Sequence, residues 1–279
     1  MQLGWKVIFV FLLFSSCSKE IKPSNAVVVT RHHLATDVGA EILDSGGNAV
    51  DSAIAIAFAL AVVNPSAGNL GGGGFLLYYD ANENKTYALD YRERAPNAAN
   101  EDMFLDADGN VIKNLSLNSY LAAGIPGTVK GMFTIHELFG SKSMDDLISP
   151  SIKLASEGFP LSAFQASNFN KYRKKFSNGS DSESIFINLD DEGFSAGDIF
   201  IQTDLAESLR LIKDKGQKAF YEGEIAEKIV SDFSNNGGLI TSQDLQDYEV
   251  YLKEPICGDY KQYNVCSMPL PSSGGIAII

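Results

Sequence analysis

Asn69-Leu70-Gly71-Gly72-Gly73-Gly74-Phe75 sets four consecutive glycines between a long apolar run and a strand-like run. Glycine loses more backbone freedom on folding than any other residue, so four together are a poor filler. They mark a corner where the backbone bends sharply or is approached closely, and a site near it is the first expectation. A tight buried connection without chemistry is the alternative. Upstream, Ala49 to Val63 reads as a helix capped by Asn48. Its run from Ala53 to Ala61 leaves almost no polar face, which predicts a core helix. Asp51 and Ser52 interrupt the apolar run, which falls short of the roughly 20 residues a membrane span needs. Downstream, Phe75 to Tyr79 and Thr86 to Tyr91 read as strands joined by the polar connection Asp80 to Lys85. Dinucleotide and P-loop sites run strand, glycines, helix; the order here is helix, glycines, hairpin, which argues against a phosphate cradle.

Outward from this corner the pattern is helix-rich. A short β-rich run, Ala26 to Val29, precedes a helix from His33 or Leu34 to Leu43, stopped by Ser45-Gly46-Gly47. Ala122 to Gly127 forms a turn that opens a helix from about Thr128 to Leu138. Further helices fit Met144 to Glu157, Ala163 to Lys175, Leu205 to Lys213 and Ile225 to Phe233, and Thr241-Ser242-Gln243-Asp244 starts a short one by capping logic. Val265 to Ser267 looks like a strand. The fold class is α+β, with strands mostly in the first third and at the end. Ile276-Ala277-Ile278-Ile279 opens an apolar element just as the sequence stops, the pattern of a truncated chain.

The 279 residues are 45% hydrophobic and 20% charged, a globular composition, and the formal net charge of -13 argues against a nucleic-acid-binding surface. Met1 to Ser16 carries only Lys6 as a charge, then the apolar stretch Val7 to Phe14, and reads as a signal peptide. Phe14-Ser15-Ser16-Cys17 resembles a bacterial lipoprotein cleavage site, although Phe14 departs from the usual small aliphatic residue. Cys17 would then be acylated, residues 17–25 would be a polar tether from the membrane, and residues 26–279 the domain. That predicts export to the periplasm or outer membrane, with an ordinary secretory leader as the alternative.

Cys257 and Cys266 would face each other in a hairpin turning at Lys261-Gln262, close enough for a disulfide. Two unpaired small hydrophobes are the other reading, because Lys-Gln is a weak turn signal. No cofactor is called for and no metal-ligand spacing is present; His32 and His33 are adjacent and should point in different directions.

The best binding candidate is Asp90-Tyr91-Arg92-Glu93-Arg94-Ala95-Pro96, just past a strand. Arg92 and Arg94 share a face if the strand continues, with Glu93 opposite. A guanidinium there could hold a substrate carboxylate as a planar bidentate pair, or both arginines could simply pair with surface acids. No Ser-His-Asp set, glycosidase carboxylate pair or nucleophilic cysteine stands out, so no catalytic residue is assigned.

Five motifs together carry a resemblance. They are Gly46-Gly47-Asn48-Ala49-Val50-Asp51-Ser52-Ala53, Asn64-Pro65-Ser66-Ala67-Gly68 with the glycine run to Phe75, Asp90 to Pro96, Gly124-Ile125-Pro126-Gly127, and Met268-Pro269-Leu270-Pro271-Ser272-Ser273-Gly274-Gly275. In this order the chain resembles the large-subunit portion of a bacterial γ-glutamyltranspeptidase, or glutathione hydrolase. The resemblance implies an N-terminal-nucleophile hydrolase with an αββα sandwich, incomplete in this chain. In that family a precursor cleaves itself, and the threonine exposed at the start of the small subunit attacks the γ-glutamyl carbonyl, its own amino group serving as base. The γ-glutamyl group passes to water, an amino acid or a peptide. Arg92 matches the arginine that clamps the donor's α-carboxylate. Arg94, Asn69, Gly71, Gly72, Gly73 and Gly74 are candidates for pocket support. The family's Thr-Thr-His junction is absent, so this portion alone should be inactive without its small-subunit partner. A related acylase, of the cephalosporin or polyglutamate-processing type, is the alternative, and a non-catalytic homologue a more distant one.

Overall fold

The computed structural model describes residues 26–176, 181–187 and 193–279; the leader and Cys17 lie outside the described residues. Helices α1 (His33–Asp44) and α2 (Ala49–Val63) lead through the glycine run to strands β1 (Phe75–Asp80) and β2 (Lys85–Asp90). Then come α3 (Leu115–Asn118), α4 (Thr128–Phe139), α5 (Met144–Glu157), β3 (Phe159–Pro160), α6 (Ala163–Phe176), α7 (Asp181–Phe186) and β4 (Ile199–Phe200). The chain closes with α8 (Thr203–Lys215), α9 (Lys218–Tyr221), α10 (Glu224–Asn235), α11 (Ser242–Gln246), β5 (Tyr251–Lys253), β6 (Ile256–Tyr260), β7 (Tyr263–Ser267) and α12 (Gly274–Ile278).

The all-apolar reading of α2 decides the core. Ile54, Ala55, Phe58, Ala59, Val62 and Val63 are fully buried, and α2 packs against α1, α4 and α5. Its start is fixed by a reciprocal capping box: Asn48 accepts the Asp51 N–H, and Asp51 accepts the Asn48 N–H. The Asp51 carboxylate, fully buried, also takes the Ser141 N–H at 2.9 Å, the Lys142 N–H at 3.2 Å and the Ser141 hydroxyl. Burial opposes its ionisation, but these hydrogen bonds outweigh burial and hold its carboxyl below the usual carboxylate range.

The main sheet is antiparallel, in the order β1-β2-β5. Facing residues on paired strands share a side, so the register Leu76↔Leu89 and Tyr78↔Tyr87 puts these four on one face. There Phe139 of α4 packs on Tyr78 and Tyr87, with ring centres 4.7 and 4.9 Å away. The opposite face carries Phe75, Leu77, Tyr79 and Tyr251, and is open: Leu77, Tyr79 and Tyr251 are 43%, 57% and 40% exposed.

Three expectations change. Ala26 to Val29 is not a strand, and Val27 and Val29 lie 81% and 87% exposed, without the burial that would favour pairing. β2 ends at Asp90, so the alternation expected for Arg92, Glu93 and Arg94 has no strand to carry it. His32 and His33 do not diverge; their rings stack with centres 4.7 Å apart, because His32 is the extended cap and His33 the first helical residue. The pairs β3-β4 and β2-β5 join residues far apart in sequence, which local patterning does not reveal. In the β6-β7 hairpin Lys261 takes a left-handed φ of 56°, Cys257 faces Cys266 with Cα atoms 4.1 Å apart, and a disulfide joins them.

Candidate functional site

The Asp90–Asn97 loop is built on the glycine run. Gly74 and Tyr91 exchange N–H···O bonds of 3.3 and 3.1 Å, prolonging the hairpin by one pair. Gly73 then lies directly on the loop: a Cβ there would sit 2.4 Å from the Tyr91 carbonyl oxygen and 2.9 Å from the Arg92 carbonyl carbon. No side chain fits at that approach. The Gly72 carbonyl accepts the N–H groups of Gly127 and Thr128 at 2.7 and 3.0 Å, and Asn69 Oδ1 accepts the Thr128 hydroxyl at 2.9 Å. Asn69, Gly72, Gly73 and Gly74 therefore tie the loop to the start of α4, whereas Gly71 borders open space.

From the other side the loop is fixed bond by bond. The Arg92 N–H donates to Asp90 Oδ1 at 3.1 Å, and the Arg92 carbonyl accepts the Tyr248 hydroxyl at 2.9 Å. Arg94 and Ile125 exchange backbone bonds of 3.3 and 2.7 Å. The Asn97 N–H donates to Asp244 Oδ1 at 2.8 Å, and Asp244 also closes a capping box with Thr241 at the start of α11. Burial opposes ionisation of Asp244, but the bonds from Asn97 and Thr241 prevail and keep its carboxyl below the usual range. Asp90 is buried, and its Oδ2 meets Lys253 Nζ at 2.7 Å; Lys253 also reaches the Leu270 carbonyl at 2.9 Å.

With its backbone held, the loop presents its side chains to an open cleft of about 330 Å³, lined by Asp90, Arg92, Glu93, Arg94, Tyr251, Lys253 and Pro271. Arg92 is exposed, its guanidinium carbon 5.8 Å from the centre of the Phe75 ring on the open sheet face. Arg94 lies 4.0 Å over the Tyr251 ring, and its Nε is buried without a hydrogen-bond partner. Among the described residues neither guanidinium has a carboxylate within ion-pair distance, while Lys253 is already paired with Asp90. Pairing with surface acids, the other sequence reading, is thus not what the arginines do. The cleft lining contains no serine, threonine or cysteine. Two guanidinium groups beside this lining are chemically suited to a planar anion such as a carboxylate.

Sequence reasoning placed Arg92 and Arg94 together but missed Tyr248, Lys253 and Asp244. Their partners lie some 150 residues away in sequence, and only the Thr241-Ser242-Gln243-Asp244 capping signal hinted that this segment was ordered. No group of three or more His, Cys, Asp or Glu among the described residues could hold a metal.

A helical layer on one sheet face and an open second face are the arrangement of one half of the sandwich of an N-terminal-nucleophile hydrolase. The sequence profile of gamma-glutamyltranspeptidase matches residues 35–279. The glutathione hydrolase proenzyme of Pseudomonas sp. strain A14 is 45% identical over 269 residues, 96% of this chain and 46% of that protein. The crystal structure of Helicobacter pylori gamma-glutamyltranspeptidase superposes with a TM-score of 0.89 at 45% identity, over 92% of this chain and 73% of that one. Cephalosporin acylase from Bacillus halodurans shares the fold more distantly, with a TM-score of 0.75 at 25% identity over 92% of this chain and 50% of that one. The chain belongs to the γ-glutamyltranspeptidase family, and spans less than half the length of the curated relatives it matches.

Proposed function

We propose that this chain is the substrate-carboxylate-binding portion of a γ-glutamyl hydrolase and transferase acting on glutathione and its conjugates. One observation carries the reading: in a member of this family, Arg92 stands exposed at a cleft, without an ion-pair partner among the described residues, on a backbone fixed from both sides. Its guanidinium would take the α-carboxylate of the γ-glutamyl donor in a bidentate pair. The nucleophile and oxyanion donors would come from the companion segment, released by self-cleavage and seated on the open sheet face of Phe75, Leu77 and Tyr79 to complete the sandwich. Arg94 and the glycines would support the pocket, and no cofactor takes part. Export rests on Met1 to Ser16, with Cys17 as the site of lipid attachment; no helix among the described residues is long and apolar enough to cross a membrane.

The test is glutamate release from glutathione by the full-length protein, against release of a cephalosporin side chain. Arg92→Ala should raise KM for glutathione roughly 30-fold or more, because a desolvated carboxylate that loses its counter-charge costs about 2–5 kcal/mol. An unchanged KM would sink the assignment, and side-chain release from a cephalosporin without glutathione turnover would favour the acylase.

A further inference from the structure

Residues Asp244 to Lys253 touch the Asp90–Asn97 loop at every step. Asp244 holds the Asn97 N–H, Tyr248 the Arg92 carbonyl, the Tyr251 ring the Arg94 guanidinium, and Lys253 the Asp90 carboxylate. Two of these contacts end on side chains that border the cleft and one on the Asn97 main chain, but the Tyr248 contact ends on the main chain of the proposed carboxylate clamp itself.

We infer that Tyr248 is the positioning residue for Arg92: its hydroxyl sets the backbone from which the guanidinium reaches the substrate carboxylate. The inference rests on the carboxylate-clamp reading of Arg92. The Tyr248 hydroxyl is the single hydrogen-bond donor to the Arg92 carbonyl among the described residues. The ring has nowhere else to go. Tyr248 is buried, and a Cβ at Gly127 would lie 2.0 Å from its hydroxyl. Beneath it the Tyr221 ring lies nearly parallel, centres 5.9 Å apart, with its own hydroxyl donating to the Pro126 carbonyl at 2.9 Å and accepting the Lys130 N–H at 3.1 Å. The Lys130 ammonium completes the brace by donating to the Tyr248 carbonyl. Burial pushes the Tyr248 and Tyr221 phenols well above their ordinary values, so both remain donors throughout the neutral range. The brace thus joins three segments, at Arg92, Pro126 and Tyr248, through two hydroxyls and one ammonium.

Tyr248→Phe keeps the ring and its stacking and removes only the bond to Arg92. In the full-length processed enzyme, KM for a γ-glutamyl anilide should rise about five-fold with kcat within two-fold, the loss of about one net hydrogen bond from clamp geometry. In an Arg92→Ala background the same substitution should add nothing, since the clamp is already gone. A general packing defect would instead lower activity by the same factor in both backgrounds, and that result overturns the inference, as does an unchanged KM. A second measurement needs no turnover: amide hydrogen exchange at Arg92 to Arg94 in substrate-free protein should quicken about five-fold in Tyr248→Phe while exchange within α2 is unchanged. Unaltered exchange at the loop overturns the inference even in an active enzyme. Altered exchange in a protein that releases no glutamate from any γ-glutamyl donor leaves the positioning role standing and sinks the proposed activity instead.

Discussion

Asp51 and the Asp90–Asn97 loop are fixed by the same device, a buried carboxylate collecting hydrogen bonds from distant chain, yet only one has anything left to offer. Around Asp51 every donor turns inward: the Asn48, Ser141 and Lys142 N–H groups and the Ser141 hydroxyl all end on the one carboxylate. At the loop, Asp90, Asp244 and Tyr248 hold the main chain at Arg92 and Asn97, while among the described residues neither guanidinium at the cleft has an ion-pair partner. A node that satisfies all its members builds structure; one that fixes a backbone and leaves charge over has charge available for a ligand.

The largest break in this contrast should come from Asp51→Ala. It strands several part-buried donors at once, and each such group costs about 1–3 kcal/mol. The full-length protein should lose about 2–4 kcal/mol of stability, read as a fall in Tm, while KM of the remaining folded enzyme stays unchanged. The pH dependence has a definite sign. A carboxyl held below its unfolded value contributes stability that is complete above the unfolded pKa and fades as pH falls through the folded one. Acid melting curves of wild type should therefore drop steeply below the ordinary carboxylate range, and those of Asp51→Ala should be flatter there. Parallel curves would show that Asp51 is not the titrating hub.

Gly73→Ala should do the reverse, a smaller stability change with a functional one. The added methyl meets main-chain atoms of Tyr91, Arg92 and Glu93, none of which is the free end of a side chain, so the loop itself must move. Overpacking of this kind costs about 1–3 kcal/mol. KM for a γ-glutamyl donor should rise several-fold with little change in kcat. Gly71→Ala is the control, since open space lies beside Gly71.

These variants also separate what the sequence could tell from what it could not. Helix α2 was readable to its ends, because Asn48 and the apolar run from Ala53 to Ala61 are local signals. The glycine corner was readable as a close approach, and Arg92 as the residue beyond it. The identity of the approaching chain was not readable, for Gly73 meets its own loop through a hairpin register, and Tyr248 arrives from 156 residues away. Nor could a residue-by-residue alternation predict which way Arg92, Glu93 and Arg94 point once β2 stops at Asp90. Hydrogen bonds and packing between distant segments set that geometry, and no local period encodes them.

The smallest expected effect is the most discriminating. Arg94 sits over the Tyr251 ring at 4.0 Å, an arrangement worth about 0.5–2 kcal/mol, and its backbone is held by Ile125 whatever its side chain. If its side chain only walls the cleft, Arg94→Ala should cost roughly that stability and shift KM for a γ-glutamyl donor about two-fold. Arg94→Lys should recover part of the stability, because a cation over an aromatic ring is retained. A KM change approaching that of Arg92→Ala would instead place a second guanidinium on the substrate, making the cleft a double clamp in which Arg94 shares the role proposed for Arg92. Measured on one γ-glutamyl donor, the ratio of the two KM effects therefore decides whether the loop offers one charge or two.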